Sequence, residues 1–125
     1  MAVLLDTSVL IDVERGLRTL PQDEDAAIAV ITASELLQGV LRAVPPHRVR
    51  REAFVEQLLA TVPAIPFTLP IARAHARLWA DLRAAGRVPG AHDLIVAATA
   101  LAIDWPLATL NRRHFEGIPG LRLWR

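Results

Sequence analysis

Cysteine is missing from this 125-residue chain, which excludes disulfides, thiolate metal sites and a cysteine nucleophile. Lysine is missing too, so the 14 strongly basic side chains are all arginine. Arginine suits bidentate contact with phosphate, although the same bias follows from a GC-rich coding sequence. Against 13 acids it leaves a net charge of only +1, so the placement of the arginines matters more than their number. No apolar run approaches the roughly 18 residues that a membrane span requires. The opening MAVLLDTSVLID has no basic segment and carries an aspartate among its apolar residues. It reads as the start of a folded domain rather than an export signal, and a cytoplasmic location is expected. No repeat, low-complexity tract or linker breaks the chain. Its length suits one domain over residues 1–125. Neither the GxSxG setting of a serine nucleophile nor HExxH zinc spacing is present.

What is present is an alternation of short apolar segments with helical stripes. Val3 to Leu5 reads as a buried strand ending at Asp6, and DTSVLIDVE as a turn into a helix that ends near Gly16. The polar stretch 19–26 reads as a loop, Ile28 to Ile31 as a second strand, and Thr32 to about Leu41 as a helix. Pro45 and Pro46 start the next helix, whose stripe of Val55, Leu58, Leu59 and Val62 stops before Pro63. Ala64 to Phe67 is a strand between prolines, and Pro70 to Ala85 an amphipathic helix closed by Gly86. Asp93 to Ala102 is apolar nearly all round, as a buried helix would be. Leu107 to Leu110 and Leu121 to Trp124 complete the strands.

Buried strands alternating with helices predict a parallel sheet covered on both faces. In such sheets the ligand site lies beyond the carboxyl ends of the strands. That places Asp6, directly after the first strand, Glu35, in the first turn after the second, and Asn111, after the fourth, on one edge. Each acid also has a plain alternative. Asp6 and Asp93 each stand where a helix cap belongs, and Thr32-Ala33-Ser34-Glu35 has the form of a capping box. Taken together, three acids aimed at one edge would repel one another unless a cation neutralised them. Mg²⁺ or Mn²⁺, which prefer oxygen ligands and retain water, suit such a set. Arg112 and Arg113, beside Asn111, are placed to grip phosphates without reading sequence. The remaining arginine cluster, Arg48, Arg50 and Arg51, reads as a solvated helix face, and His75 as structural.

Four segments in order, DTSVLID, TASELLQG, HDLIVAATAL and TLNRRHF, resemble the signatures of PIN-domain ribonucleases, and more narrowly of the VapC toxins of bacterial toxin–antitoxin modules. The resemblance runs from Val3 to about Leu123. It implies an α/β fold, a three-layer α/β/α sandwich with a mostly parallel sheet of about five strands. It also implies a Mg²⁺- or Mn²⁺-dependent endoribonuclease acting on structured RNA, with transfer RNA the usual kind of target. A cognate VapB-like antitoxin would block the site by docking in a groove formed between residues 32 and 62, and a homodimer would bring two sites together. By the same resemblance Asp6 and Asp93 are metal ligands and Glu35 acts through water. Ser8 would hold the site geometry, and Thr109 and Asn111 would stand beside the acids. The chain departs from the pattern at Asn111 and His114, where many members carry an acid. One metal ion is therefore expected, and His114 reads equally as an RNA contact or as packing ahead of Phe115. The rival to the nuclease is a PIN-like module that binds RNA or protein with little or no catalysis. A phosphatase using the same acids is disfavoured, because Ser8 stands where aspartyl-phosphate chemistry favours a second aspartate.

Overall fold

The chain runs as β1 (Ala2–Leu5), α1 (Thr7–Glu14), β2 (Asp25–Ala29), α2 (Val30–Arg42), α3 (Pro45–Thr61), β3 (Ala64–Ile65), α4 (Leu69–Ala84), α5 (Ala91–Ile103), β4 (Leu107–Ala108) and α6 (Arg112–Phe115). The structure, a computed structural model, describes every residue from Met1 to Arg125. Its four strands lie in the order β3-β2-β1-β4, and every pair is parallel. Successive strand side chains point to opposite faces, and here both faces are covered. Leu4, Ala27, Ala29 and Leu107 meet Leu78, Leu82, Val96 and Phe115 from α4, α5 and α6. Val3, Leu5, Ile28 and Ala108 meet Val9, Leu36, Val40, Val55 and Leu58 from α1, α2 and α3. The result is the three-layer sandwich, and it explains why the strands are apolar throughout rather than alternating. Phe115 alone, fully buried at the end of α6, contributes about 1.5–3 kcal/mol by leaving water.

The helix limits follow from local chemistry. Gly16 and Gly86 adopt positive φ just past α1 and α4, a conformation that costs glycine little and ends a helix. Pro45 opens α3 at a position where its missing N–H is not needed. The Thr68 hydroxyl caps α4 by accepting from the Ile71 N–H at 3.4 Å. No helix is long and apolar enough to cross a membrane.

Several boundaries differ from the expectation, among them the end of β4 at Ala108 rather than Leu110 and the start of α5 at Ala91 rather than Asp93. β2 begins at Asp25, inside the stretch read as a loop, because its register is set by β1, with Ala2 opposite Asp25 and Leu4 opposite Ala27. Val30 and Ile31 accordingly fall in the first turn of α2. β3 is only two residues long, since Pro66 has no N–H to continue the ladder. The expected fifth strand is reduced to one bridge, Leu107 to Leu123. β4 offers only two residues for pairing, because Thr109 turns away toward Asp6.

Candidate active site

Asp6 is the first residue past β1, and only 4% of it is exposed. Its side chain makes no cap bond to α1, so the capping alternative does not hold. Instead its Oδ2 accepts from Ser8 Oγ (3.0 Å) and from Thr109 Oγ1 (2.8 Å). Each hydroxyl is oriented from behind, the Leu110 N–H donating to Ser8 Oγ and the Asn111 N–H to Thr109 Oγ1, both at 3.0 Å. The backbone after β4 thus aims two hydroxyl protons at one oxygen of Asp6. The other oxygen, Oδ1, has no protein partner. The Asp6 N–H bonds to the Ala108 carbonyl at 2.9 Å, which holds β1 and β4 level at this edge.

Glu35 lies in the second turn of α2 rather than the first. The helix begins at Val30 with no side-chain cap, and Thr32 is buried with its hydroxyl unpartnered. The expected capping box is therefore absent. Glu35 Oε1 accepts from Thr7 Oγ1 at 2.7 Å, and Oε2 lies 3.2 Å from His92 Nδ1. Asp93 is the third residue of α5, whose cap is Gly90 and is made without a side-chain bond. Asp93 Oδ2 pairs with His114 Nδ1 at 2.8 Å. Burial pushes the Asp93 carboxyl above its ordinary value, 3.8, while neighbouring His114 pulls the other way and the charges of Asp6 and Glu35 add to the rise. The three acids thus share one electrostatic environment, and none of them caps a helix.

The structure brings Asp6, Ser8 and Thr109 into direct contact, with Glu35 and Asp93 alongside. Asn111 is tied in only through its backbone; its side chain is exposed and makes no hydrogen bond. Thr7, His92 and His114 are additions. His114 neither packs passively nor stands free, because it holds Asp93. His92 adjoins Asp93 in sequence, but its partner Glu35 is 57 residues away, a pairing that no local pattern announces. Arg112 and Arg113 face different clefts. Arg112 lines one of about 640 Å³ beside Thr109, and Arg113 one of about 420 Å³ beside Asp93 and His114.

No three Asp, Glu or His side chains are arranged as a ready-made metal cage. The donors nevertheless fit a hard divalent cation. Asp6 and Asp93 each present a carboxylate oxygen free of protein partners, the charge of Asp6 adds to the rise that burial gives Asp93, and ions such as Mg²⁺ complete their shell with water.

A sequence model of the PIN domain matches residues 3–121. The chain is 34% identical over 127 residues to ribonuclease VapC1 of Rickettsia felis, an alignment that covers 98% of this chain and 95% of that protein. It is 32% identical over 130 residues to ribonuclease VapC19 of Mycobacterium tuberculosis, covering 95% and 96% of the two. Among solved structures, VapBC-5 of Mycobacterium tuberculosis, a member of the VapBC family of toxin–antitoxin systems, contains a chain that matches with a TM-score of 0.81 at 30% identity, over 99% of this chain and 98% of that one. A chain of the DNA-bound VapBC of Salmonella typhimurium shares the fold, with a TM-score of 0.89 at 24% identity over 99% and 97%. With its sheet edge, its acids and its sequence all in agreement, this chain belongs to the PIN-domain family, among the VapC ribonucleases.

Proposed function

We propose that the protein is a Mg²⁺- or Mn²⁺-dependent endoribonuclease, the toxin of a VapBC-type module, acting in the cytoplasm on structured RNA, with transfer RNA the first candidate. The observation that carries this reading is the gathering of Asp6, Glu35 and Asp93 at the carboxyl edge of the sheet, where none of them serves as a cap. Asp6 and Asp93 would hold the cation through their unpartnered oxygens. When bound, such an ion lowers the pKa of water and neutralises charge developing on a phosphodiester.

The chain's own groups account for the rest. Ser8 and Thr109 fix the Asp6 carboxylate so that its free oxygen is presented in one orientation. Thr7 and His92 hold Glu35 through its two oxygens, and in that fixed position it is assigned to orient a water and take its proton. The water then attacks a backbone phosphate in line with the leaving oxygen. Asn111, neutral where many relatives carry an acid, lowers the charge of the site and favours one ion over two. Arg112 and Arg113 hold the phosphates on either side.

The VapB-like antitoxin is assigned to the apolar surface of α2 and α3. Leu41, Val44 and Val49 are 72%, 57% and 77% exposed there, apolar side chains that an antitoxin could cover. A homodimer is part of the same reading. The binding-module alternative draws on one observation, the His114 imidazole already occupying an oxygen of Asp93.

Incubating total RNA with the antitoxin-free protein decides between them. Discrete products that need the divalent ion, vanish in EDTA and are lost in Asp6→Asn support the nuclease. Intact RNA under every condition, with folded protein, leaves the binding module.

A further inference from the structure

The larger cleft beside Thr109 enters the chemistry above only through Thr109 and Arg112; the rest of its lining has no part in it. Its floor is apolar, formed by Leu5, Val9, Leu20, Ala108 and Trp124, and its rim carries Arg18, Arg112 and Arg125 against one acid, Asp23. None of these arginines is paired with a carboxylate; in this protein only Arg51 and Arg122 are. The Arg125 guanidinium lies 5.1 Å from the centre of the Trp124 ring, and the Trp124 indole N–H is buried without a partner. Thr109 is a wall of the cleft and at the same time donates to Asp6. At about 640 Å³, the cleft falls within the range of roughly 300–1,000 Å³ that suits a small-molecule-sized ligand.

An apolar floor under a cationic rim excludes most occupants. A purely anionic ligand would leave the floor wet, and an apolar one would leave the arginines without counter-charge. A nucleotide satisfies both, with its planar base against the floor and its phosphates on the guanidinium groups. The base must be unpaired to enter, since in a duplex it stays stacked inside the helix. We infer that this cleft is a nucleotide subsite for an unpaired, single-stranded segment of the structured RNA, in which Trp124 contacts a base while Arg18 and Arg125 hold the phosphates flanking the acid cluster. The inference rests on the ribonuclease reading for its substrate class. It explains why Arg112 and Arg113, adjacent in sequence, face two clefts. The strand passes from the Arg18 side across Asp6 and leaves past Arg113 and Arg87, which line the second cleft.

The test is fluorescence anisotropy with a labelled single-stranded RNA oligonucleotide, in EDTA so that nothing is cut. Arg18→Gln with Arg125→Gln is compared with Arg73→Gln with Arg77→Gln, an equal loss of charge on the exposed side of α4. The cleft variant should weaken binding about tenfold or more. Its dependence of log Kd on log salt should become shallower by about 1.4, at roughly 0.7 for each phosphate no longer neutralised, and the control should stay within about twofold. In a Trp79→Phe, Trp105→Phe background Trp124 is the sole indole, and RNA should quench its emission. Equal losses in both variants, or undiminished affinity in the cleft variant, would overturn the subsite, as would unquenched Trp124 with RNA bound. A cleft variant that keeps RNA but releases the antitoxin would overturn it in favour of a protein partner. RNA held in the cleft but never cut by the wild type with Mg²⁺ would leave the subsite standing and remove the nuclease.

Discussion

Asp6 is a buried acid whose one occupied oxygen takes two hydroxyl bonds, and burial of a carboxylate is costly unless it is bonded or paired. Thr109 is the tighter of the two donors and is itself fixed by the Asn111 N–H. Thr109→Val keeps the shape and removes the bond. It should lower Mg²⁺ affinity or cleavage by about 10–100-fold, the usual effect of losing an outer-shell partner, with the far-ultraviolet spectrum unchanged. Asp93 gives a prediction of opposite sense for stability. Its carboxyl is raised above 3.8, chiefly by burial, so the folded state binds the proton more tightly than the unfolded one. The stability it contributes is complete below the unfolded value and is lost as pH rises through the folded value. Metal-free Asp93→Asn should therefore melt higher than the wild type at neutral pH, and the difference should shrink toward pH 4. Added Mg²⁺ should raise the melting temperature of the wild type and not that of the variant.

Among the elements, α5 does most to place the site, because its first turn carries both His92 and Asp93. It can sit deep in its layer because Ala97, Ala98 and Ala100 are fully buried and small. Leu4 and Phe115 belong to the same packed cluster as Ala97 and Ala100. Ala97→Leu has no space to fill there and should cost about 1–3 kcal/mol, read from denaturant midpoints. Activity should fall further than stability alone explains, since any shift of α5 moves Asp93 relative to Asp6. The short β4 shows the same coupling of element to site. It ends at Ala108 so that Thr109 can turn toward Asp6, and the pairing with the C-terminal segment stops at Leu123.

Across the molecule as a whole, two surfaces have different work. The carboxyl edge of the sheet gathers the acids, with Arg112 and Arg113 beside them, whereas the α2–α3 surface exposes apolar side chains that the domain does not bury for itself. Leu41, 72% exposed, contributes little to folding. Leu41→Glu should leave the melting temperature nearly unchanged while weakening capture of the antitoxin about tenfold or more, as a charge placed in an apolar contact does. Sedimentation of the antitoxin-free protein should give twice the mass of one chain; a monomer at micromolar concentration would count against the dimer.

Much of this was legible in the linear chain. The apolar periodicity marked the strands and helices, the prolines and glycines marked most of their ends, and chain order placed Asp6 at the carboxyl end of the first strand. These depend on neighbours a few residues apart, where pattern and backbone chemistry suffice. The limits of β2, β3 and the C-terminal segment were not legible, because a strand extends only as far as a partner strand pairs with it. The three helix-cap alternatives could also be settled only in space. Asp6 meets Thr109 across 103 residues, Glu35 meets Thr7 across 28 and His92 across 57. Chain order is enough to say which acids stand at the ends of the elements. Which hydroxyl and which imidazole each acid meets is fixed only in the folded packing, because pairings across such separations exist only once the layers have come together.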